Sequence, residues 1–468
     1  MHELHLPWLE LAIVTPLIGA VVTLFAQSID SKRQHAIGFS VLTLLFSLGA
    51  WEDFRLLMTF EAHDRWDLIT RLIGPNIIVI DEFSAPLIPL TALIFLLNFL
   101  SLPNTKAERM LFSNTMLLQF TTLALLACRN EYGLVVLASV QTIFPLIELI
   151  YRRRAIGPYV FHMGLFVLLM ISGVYLVFRD GAAEHANSLG IWLLIVAVLI
   201  RNGCAPLHCW LADLFENASF GTSLTFTTPL TGAYLALRLL IPISPAWALQ
   251  TVMFASLATA VYAAALALVQ SCPRRFFSYI LLSHMSLAFV GLEVDTVIGL
   301  TGALCVWFSV GISLTGFGLT LRAVEARVGY LSLRKFHGLY RHVPLLATFF
   351  MLTGLSSIGF PGTIGFVGME LVTEGVVDVY PLVGAFVVVA AALNGMAILF
   401  GYFRIFTGTE HPATANMVAK TNEKLAVWIS TVLIIAGGIW PQPGVYSRFH
   451  AASHLLGGET AEVNVDGH

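Results

Sequence analysis

Leu199-Ile200-Arg201-Asn202-Gly203-Cys204-Ala205-Pro206-Leu207-His208-Cys209-Trp210 lies inside an apolar run covering residues 189–220. The run is long enough to cross a bilayer, yet glycine and proline interrupt it, and an arginine stands at the interruption. A helix broken there exposes backbone groups that hydrocarbon cannot satisfy, so the break must face protein or a wet cavity. Residues 344–376 repeat the pattern, broken at Gly359-Phe360-Pro361-Gly362. The breaks, near Gly203 and Pro206 and near Gly359, Pro361 and Gly362, lie five spans apart. Paired interruptions at matching places in two halves mark inverted repeats built around a central site.

Twelve further apolar stretches surround these two, at 8–27, 36–58, 82–101, 110–128, 131–150, 158–178, 222–242, 250–269, 276–293, 297–321, 381–403 and 424–443. The composition agrees: 57% of the 468 residues are hydrophobic and 11% charged, with a mean hydropathy of +0.82. A soluble domain carries roughly a quarter charged residues. A soluble enzyme, a disordered scaffold, a secreted disulfide framework and a nucleic-acid binder are excluded. Long unbroken runs also exclude a β-barrel, whose strands alternate. The expected fold is an all-α polytopic membrane protein of about 14 transmembrane helices, with two inverted five-helix repeats each holding a broken helix. The expected division is 1–107 (three helices), 108–245 (first repeat), 246–410 (second repeat) and 411–468 (last helix and polar tail).

Of the 25 lysines and arginines, 17 fall in connections on one side of this map, including Arg152–Arg154, Arg274, Arg275 and Arg322. Lys420 belongs to the same set. The opposite side holds Arg55, Arg65, Arg71, Arg129 and Arg179, mixed with acids such as Asp180 and Glu184. The positive-inside rule makes the first side cytoplasmic and places both termini on the periplasmic side of an inner membrane. Met1-His2-Glu3-Leu4-His5 has no basic n-region, so no cleaved signal is expected. The five cysteines form no CxxC pair. Cys204 and Cys209 flank His208, but a tetrahedral site needs more ligands, so no metal and no cofactor is expected.

Ionisable groups inside the spans cost several kcal/mol and are candidate functional residues. Arg201 closes the first half of the seventh span, and Asp213 is its nearest acid in sequence. Arg238 is read as snorkelling to the interface. His208 and His284 are either proton relays or histidines bonded to their own backbone. Gln141 is polar in mid-span; Glu148, three residues before Tyr151, is read as pairing with the arginines that follow. Glu370 and Glu374 share one helix face, either an acidic exit or a wet helix end.

Pro206-Leu207-His208-Cys209-Trp210-Leu211-Ala212-Asp213, after a basic residue, resembles the seventh-helix signature of the antiporter-like subunits of respiratory complex I. Related subunits occur in membrane-bound hydrogenases and multisubunit sodium/proton antiporters. Arg274-Arg275-Phe276-Phe277-Ser278-Tyr279-Ile280-Leu281-Leu282-Ser283-His284-Met285 resembles that family's tenth-helix stretch. Gly359-Phe360-Pro361-Gly362 with Gly365-Phe366-Val367-Gly368 matches its broken twelfth helix, and Asp81-Glu82-Phe83-Ser84 fits the opening of the third. The likeness runs over helices three to thirteen and is closest to the subunit-4-like branch.

The resemblance implies a proton path using a glutamate in the fifth helix, lysines in the seventh and eighth, a histidine in the eleventh and an acid or lysine in the twelfth. Here those positions hold Gln141, Arg201, Leu230, Val310 and Met369, with Glu370 displaced by one. A buried lysine can exchange its proton, whereas arginine stays charged, and glutamine orders water without carrying a proton. Three functions follow. The first is a subunit of a proton- or cation-translocating, energy-converting complex, such as a NADH:quinone oxidoreductase-like translocase. The second is the membrane half of an inorganic-carbon uptake system, with a zinc-containing soluble partner. The third is a non-conducting scaffold of the same fold. No catalytic residue of its own is expected, and its partners are the bilayer and the other subunits of a hetero-oligomer.

Overall fold

The computed structural model describes residues 2–64, 77–179, 187–294, 296–329, 331–409 and 421–457. Arg65, Arg71, Asp180, Glu184, Lys420 and the boundary at 410–411 lie outside the described residues. Each of the fourteen apolar stretches carries helix. Nine helices among the described residues are long and apolar enough to cross a membrane, and four shorter apolar ones accompany them.

The chain opens with α1 (Trp8–Phe25) and α2 (Ile29–Leu57), then α3 (Leu87–Leu100). The first repeat follows with α4 (Phe112–Ala127), α5 (Glu131–Gln141), α6 (Ile143–Tyr151) and α7 (Gly157–Phe178). It continues through α8 (Ser188–Asn202), α9 (Cys209–Asn217), α10 (Phe220–Thr227) and α11 (Thr231–Leu235). The second repeat holds α12 (Ala246–Val269), α13 (Pro273–Leu292) and α14 (Val297–Val328). After these come α15 (Pro344–Ser357), α16 (Ile364–Val379) and α17 (Pro381–Phe406). The chain then closes with α18 (Thr421–Ile439) and α19 (Gln442–Gly457). Helix α13 is almost wholly buried and α14 largely so, while α2 and α7 turn large apolar side chains outward. The core therefore lies along α13 and α14, with α9 packed against α13, and α16 and α10 against α14.

Four features differ from the sequence reading. A three-stranded sheet joins β1 (His2–Glu3), β2 (Glu61–His63) and β3 (Ile80–Asp81), β1 parallel and β3 antiparallel to β2. The eighth span is broken too. Pro229 has no N–H to continue α10, and Leu230 takes φ +50 before α11 and a π-turn at Ala236–Leu240. The eleventh span runs on to Val328, so Arg322 belongs to a buried helix face and not to a loop. The polar tail contains a helix, α19, whose Arg448 is buried and donates to the Glu82 carbonyl at 2.6 Å.

Candidate functional site

Helix α8 ends at Arg201-Asn202 because Gly203 adopts φ +73, a left-handed conformation that costs glycine little. The Gly203 and Cys204 amides turn back onto the Ile200 and Leu199 carbonyls, and the Trp210 indole also donates to Ile200. The freed carbonyls of the helix end are thereby satisfied inside the protein, as a break at membrane depth requires. Past the turn, the Ala205–Pro206 bond is cis and the Ala205 amide donates to the Thr259 hydroxyl at 3.0 Å.

Arg201 occupies the last turn of α8, where a helix dipole favours positive charge. It is 2% exposed. Its Nη2 donates to the Thr231 hydroxyl at 2.6 Å and, at 3.4 Å each, to Gln141 Oε1 and the Phe226 carbonyl. The Phe226 ring lies 4.0 Å from the guanidinium carbon, a cation–π contact. The break in the eighth span makes this possible. In a continuous helix the Phe226 carbonyl would accept from the Leu230 amide, but that amide bonds Thr227 instead. The freed carbonyl turns to Arg201, while the Pro229 carbonyl accepts from the Trp307 indole at 3.2 Å. The C-terminal, partly negative ends of α8 and α10 therefore meet at one guanidinium. None of the ion pairs among the described residues includes Arg201, so dipoles and a ring face replace a counter-ion. Gln141 completes the shell and donates to the Thr122 hydroxyl at 2.8 Å.

Residues 149–394 match the family model described as the transmembrane part of NADH:quinone oxidoreductase and Mrp antiporters. The chain belongs to this family. NADH-quinone oxidoreductase subunit M of Rickettsia typhi is 28% identical over 268 residues, 54% of this chain and 53% of that subunit. This alignment therefore spans about half of its curated relative. F(420)H(2) dehydrogenase subunit M of Methanosarcina mazei is 25% identical over 85% of this chain and 86% of its own. A chain of the structure "Respiratory complex I from Thermus thermophilus with bound NADH" superposes with a TM-score of 0.81 at 20% identity. It covers 96% of this chain and all of its own length, and shows the antiporter-like fold.

Within that fold the other singled-out residues divide between elements. Glu148 is buried and pairs with Arg152 at 2.6 Å, and it also accepts from the Ser219 amide at 2.7 Å. Asp213 is not the partner of Arg201: it lies on Arg275 at 3.4 Å, on the face of α9 turned toward α13. Arg238 does not snorkel. It forms a buried pair with Asp81 at 2.6 Å and bonds the Tyr234 hydroxyl at 2.8 Å. The His208 ring packs edge-on against Tyr262 and beside Tyr279. His284 Nδ1 bonds the Ile280 carbonyl at 2.8 Å, so its neutral form carries the proton there.

Glu370 and Glu374 are not in the core. They line an open groove of about 610 Å³ between α16 and α17, beside the second break. Gly359 has φ +82 and backs onto Met369, and Ile358 touches Gly395 near the middle of α17, so Glu370 stands beside the central part of that helix. Phe360, Pro361 and Gly362 are exposed at the same level. The two breaks thus differ. The one at Gly203 is buried at Gly203 and Cys204 and reaches the surface at Pro206, while the one at Gly359–Gly362 is exposed from Phe360 to Gly362.

Sequence reasoning missed several polar buried groups. Arg322 donates to the Asn98 side-chain oxygen at 2.6 Å and backbone carbonyl at 3.0 Å. Glu293, at the end of α13, is buried with neither carboxyl oxygen hydrogen-bonded. Arg322 was passed over because it sits just past an apolar run and reads as a loop charge, and Glu293, which closes the run 276–293, was not singled out. Pro229 and Gly232 were the available signal for the third break.

Proposed function

We propose that this chain is an ion-translocating membrane subunit of an energy-converting complex, in which Arg201 is a fixed charge that organises water and neighbouring dipoles. The observation that carries this reading is the construction of the Arg201 site, where two interrupted helices bring their carbonyl ends to a buried guanidinium with no acid beside it. Family membership and the named relatives, which are subunits of oxidoreductase complexes, support the same reading. Nothing described above favours inorganic-carbon uptake or a zinc-containing partner. The open groove that holds Glu370 and Glu374 beside Phe360–Gly362 supports assembly with further membrane subunits, because hydrocarbon cannot solvate two carboxylates. The distribution of basic residues supports periplasmic termini in an inner membrane.

One observation favours a second reading, the non-conducting scaffold. The path positions named by the resemblance hold Leu230, Val310 and Met369, all buried and none titratable. Arg201→Lys in the intact complex separates the two. A cavity built on the planar guanidinium loses coupled ion translocation, since an ammonium cannot reach Thr231, Gln141 and Phe226 together while stacking on a ring. Undiminished coupling in both Arg201→Lys and Arg201→Ala would establish the scaffold.

A further inference from the structure

Arg274 opens α13 on the side of the chain opposite the termini, and its guanidinium is shared between two elements. Its Nε and Nη2 form a fork on Glu325 of α14, at 2.9 and 2.7 Å. Its Nη1 turns the other way, onto the carbonyls that end α9: Phe215 at 3.3 Å, Glu216 at 3.5 Å and Ala218 at 3.1 Å. Lys106 adds a second cation to Glu325 at 3.1 Å. The Arg274 and Glu325 side chains are each 21% exposed, so the pair is less screened than a surface ion pair.

The turn that Arg274 grips is held from its other side as well. Glu148 accepts from the Ser219 amide, and the Ser219 hydroxyl caps α10 by accepting from the Thr222 amide at 3.1 Å. Two residues on, at Gly221, α10 is clamped laterally. A Cβ on Gly221 would come within 2.4 Å of Asn98 Oδ1 and 3.0 Å of Arg322 Nη1, so only glycine lets α10 approach that pair. Helix α10 then carries this constraint about 10 Å along its axis, at 1.5 Å per residue, from Ser219 to Phe226. Phe226 supplies both the ring and the free carbonyl of the Arg201 site.

We propose that Arg274, locked by Glu325, is a positioning residue for the Arg201 site: it fixes the height of α10 and so where Phe226 meets the guanidinium. The proposal rests on Arg201 being the organising charge of the translocation site. It joins the halves mechanically, because Arg274, Glu325 and Arg322 belong to the second repeat whereas α9, α10 and Arg201 belong to the first. A displacement of α14 is passed to Arg201 through a short rigid helix and not through a chain of titrating groups.

The test combines two readouts on the intact complex. Hydrogen exchange of the backbone amides of residues 219–228 is measured first, with α1 as internal control. Arg274→Ala raises exchange across 219–228 by about tenfold or more and leaves α1 unchanged; Arg274→Lys, which keeps the charge but not the fork, gives a smaller rise. Unchanged exchange in both variants overturns the clasp. This readout needs no activity, so it stands or falls apart from the proposed function. The second readout is coupled ion translocation by reconstituted vesicles. Arg274→Ala lowers it about tenfold in the native background but less than twofold further in an Arg201→Ala background, because both changes act on one site. Fully multiplicative losses show that Arg274 does not act through Arg201 and overturn the assignment.

Discussion

Replacing Arg201 by methionine keeps most of the side-chain volume and removes the charge. Two opposing consequences follow from the geometry. Loss of the guanidinium orphans the Gln141 Oε1 and Phe226 carbonyl acceptors, whose bonds to it are 3.4 Å long and weak to begin with. An unsatisfied buried acceptor costs about 1–3 kcal/mol. Against that, an unpaired charge leaves the interior, and removing such a charge returns several kcal/mol of desolvation. No opposite charge is stranded, since among the described residues no acid pairs with Arg201. The expected net change in unfolding free energy is therefore small, within about 3 kcal/mol in either direction. Coupled translocation falls far more, by roughly 10²-fold, the scale for removing one fixed charge from a preorganised site. Chemical unfolding in mixed micelles measures the first quantity and vesicle acidification by the complex the second. Arg201→Met that unfolds at markedly lower denaturant, or that retains coupling, would refute the account of a functional charge held by dipoles.

Asp81→Asn makes the contrasting case: it strands the buried Arg238 without its counter-ion and is expected to cost about 3–5 kcal/mol in the same unfolding assay. Recovery of stability in Asp81→Asn combined with Arg238→Leu would confirm that the stranded charge, and not a lost carboxylate contact, carries the cost. Orientation is checked with Arg153→Cys, placed in an exposed turn, after Cys209→Ala removes the exposed native thiol. A membrane-impermeant maleimide labels this site in inverted vesicles and not in intact cells; the reverse pattern overturns the assigned sides.

What was legible in the sequence follows from the range of each interaction. Apolar runs and Gly/Pro breaks are local, so the spans and the interruptions at Gly203 and Gly359 could be read directly. Glu148 and Arg152 are one helical turn apart, and their pairing was also visible. Arg238 was misread because its partner, Asp81, is distant in sequence and stands on strand β3 of the small sheet. Asp213 was assigned by nearness in sequence, whereas α9 turns it toward Arg275 of the second repeat. Arg322 looked like a loop charge because hydropathy falls where the helix continues. Gly221 carries no signal of its own; its necessity appears only when Asn98 and Arg322 are seen against it.

The surface position of the second break has a consequence for the life of the protein in the cell. Phe360, Pro361 and Gly362 are exposed there, and two carboxylates stand beside them on the same open face, where acyl chains offer no hydrogen bond. A copy made without its neighbours draws water and headgroups toward this patch and distorts the bilayer around it. Such a copy is a less stable solute of the membrane than an assembled one, and its strain marks it as an orphan to membrane quality control. If the chain assembles as proposed, its accumulation is expected to follow the supply of the subunit that covers α16 and α17.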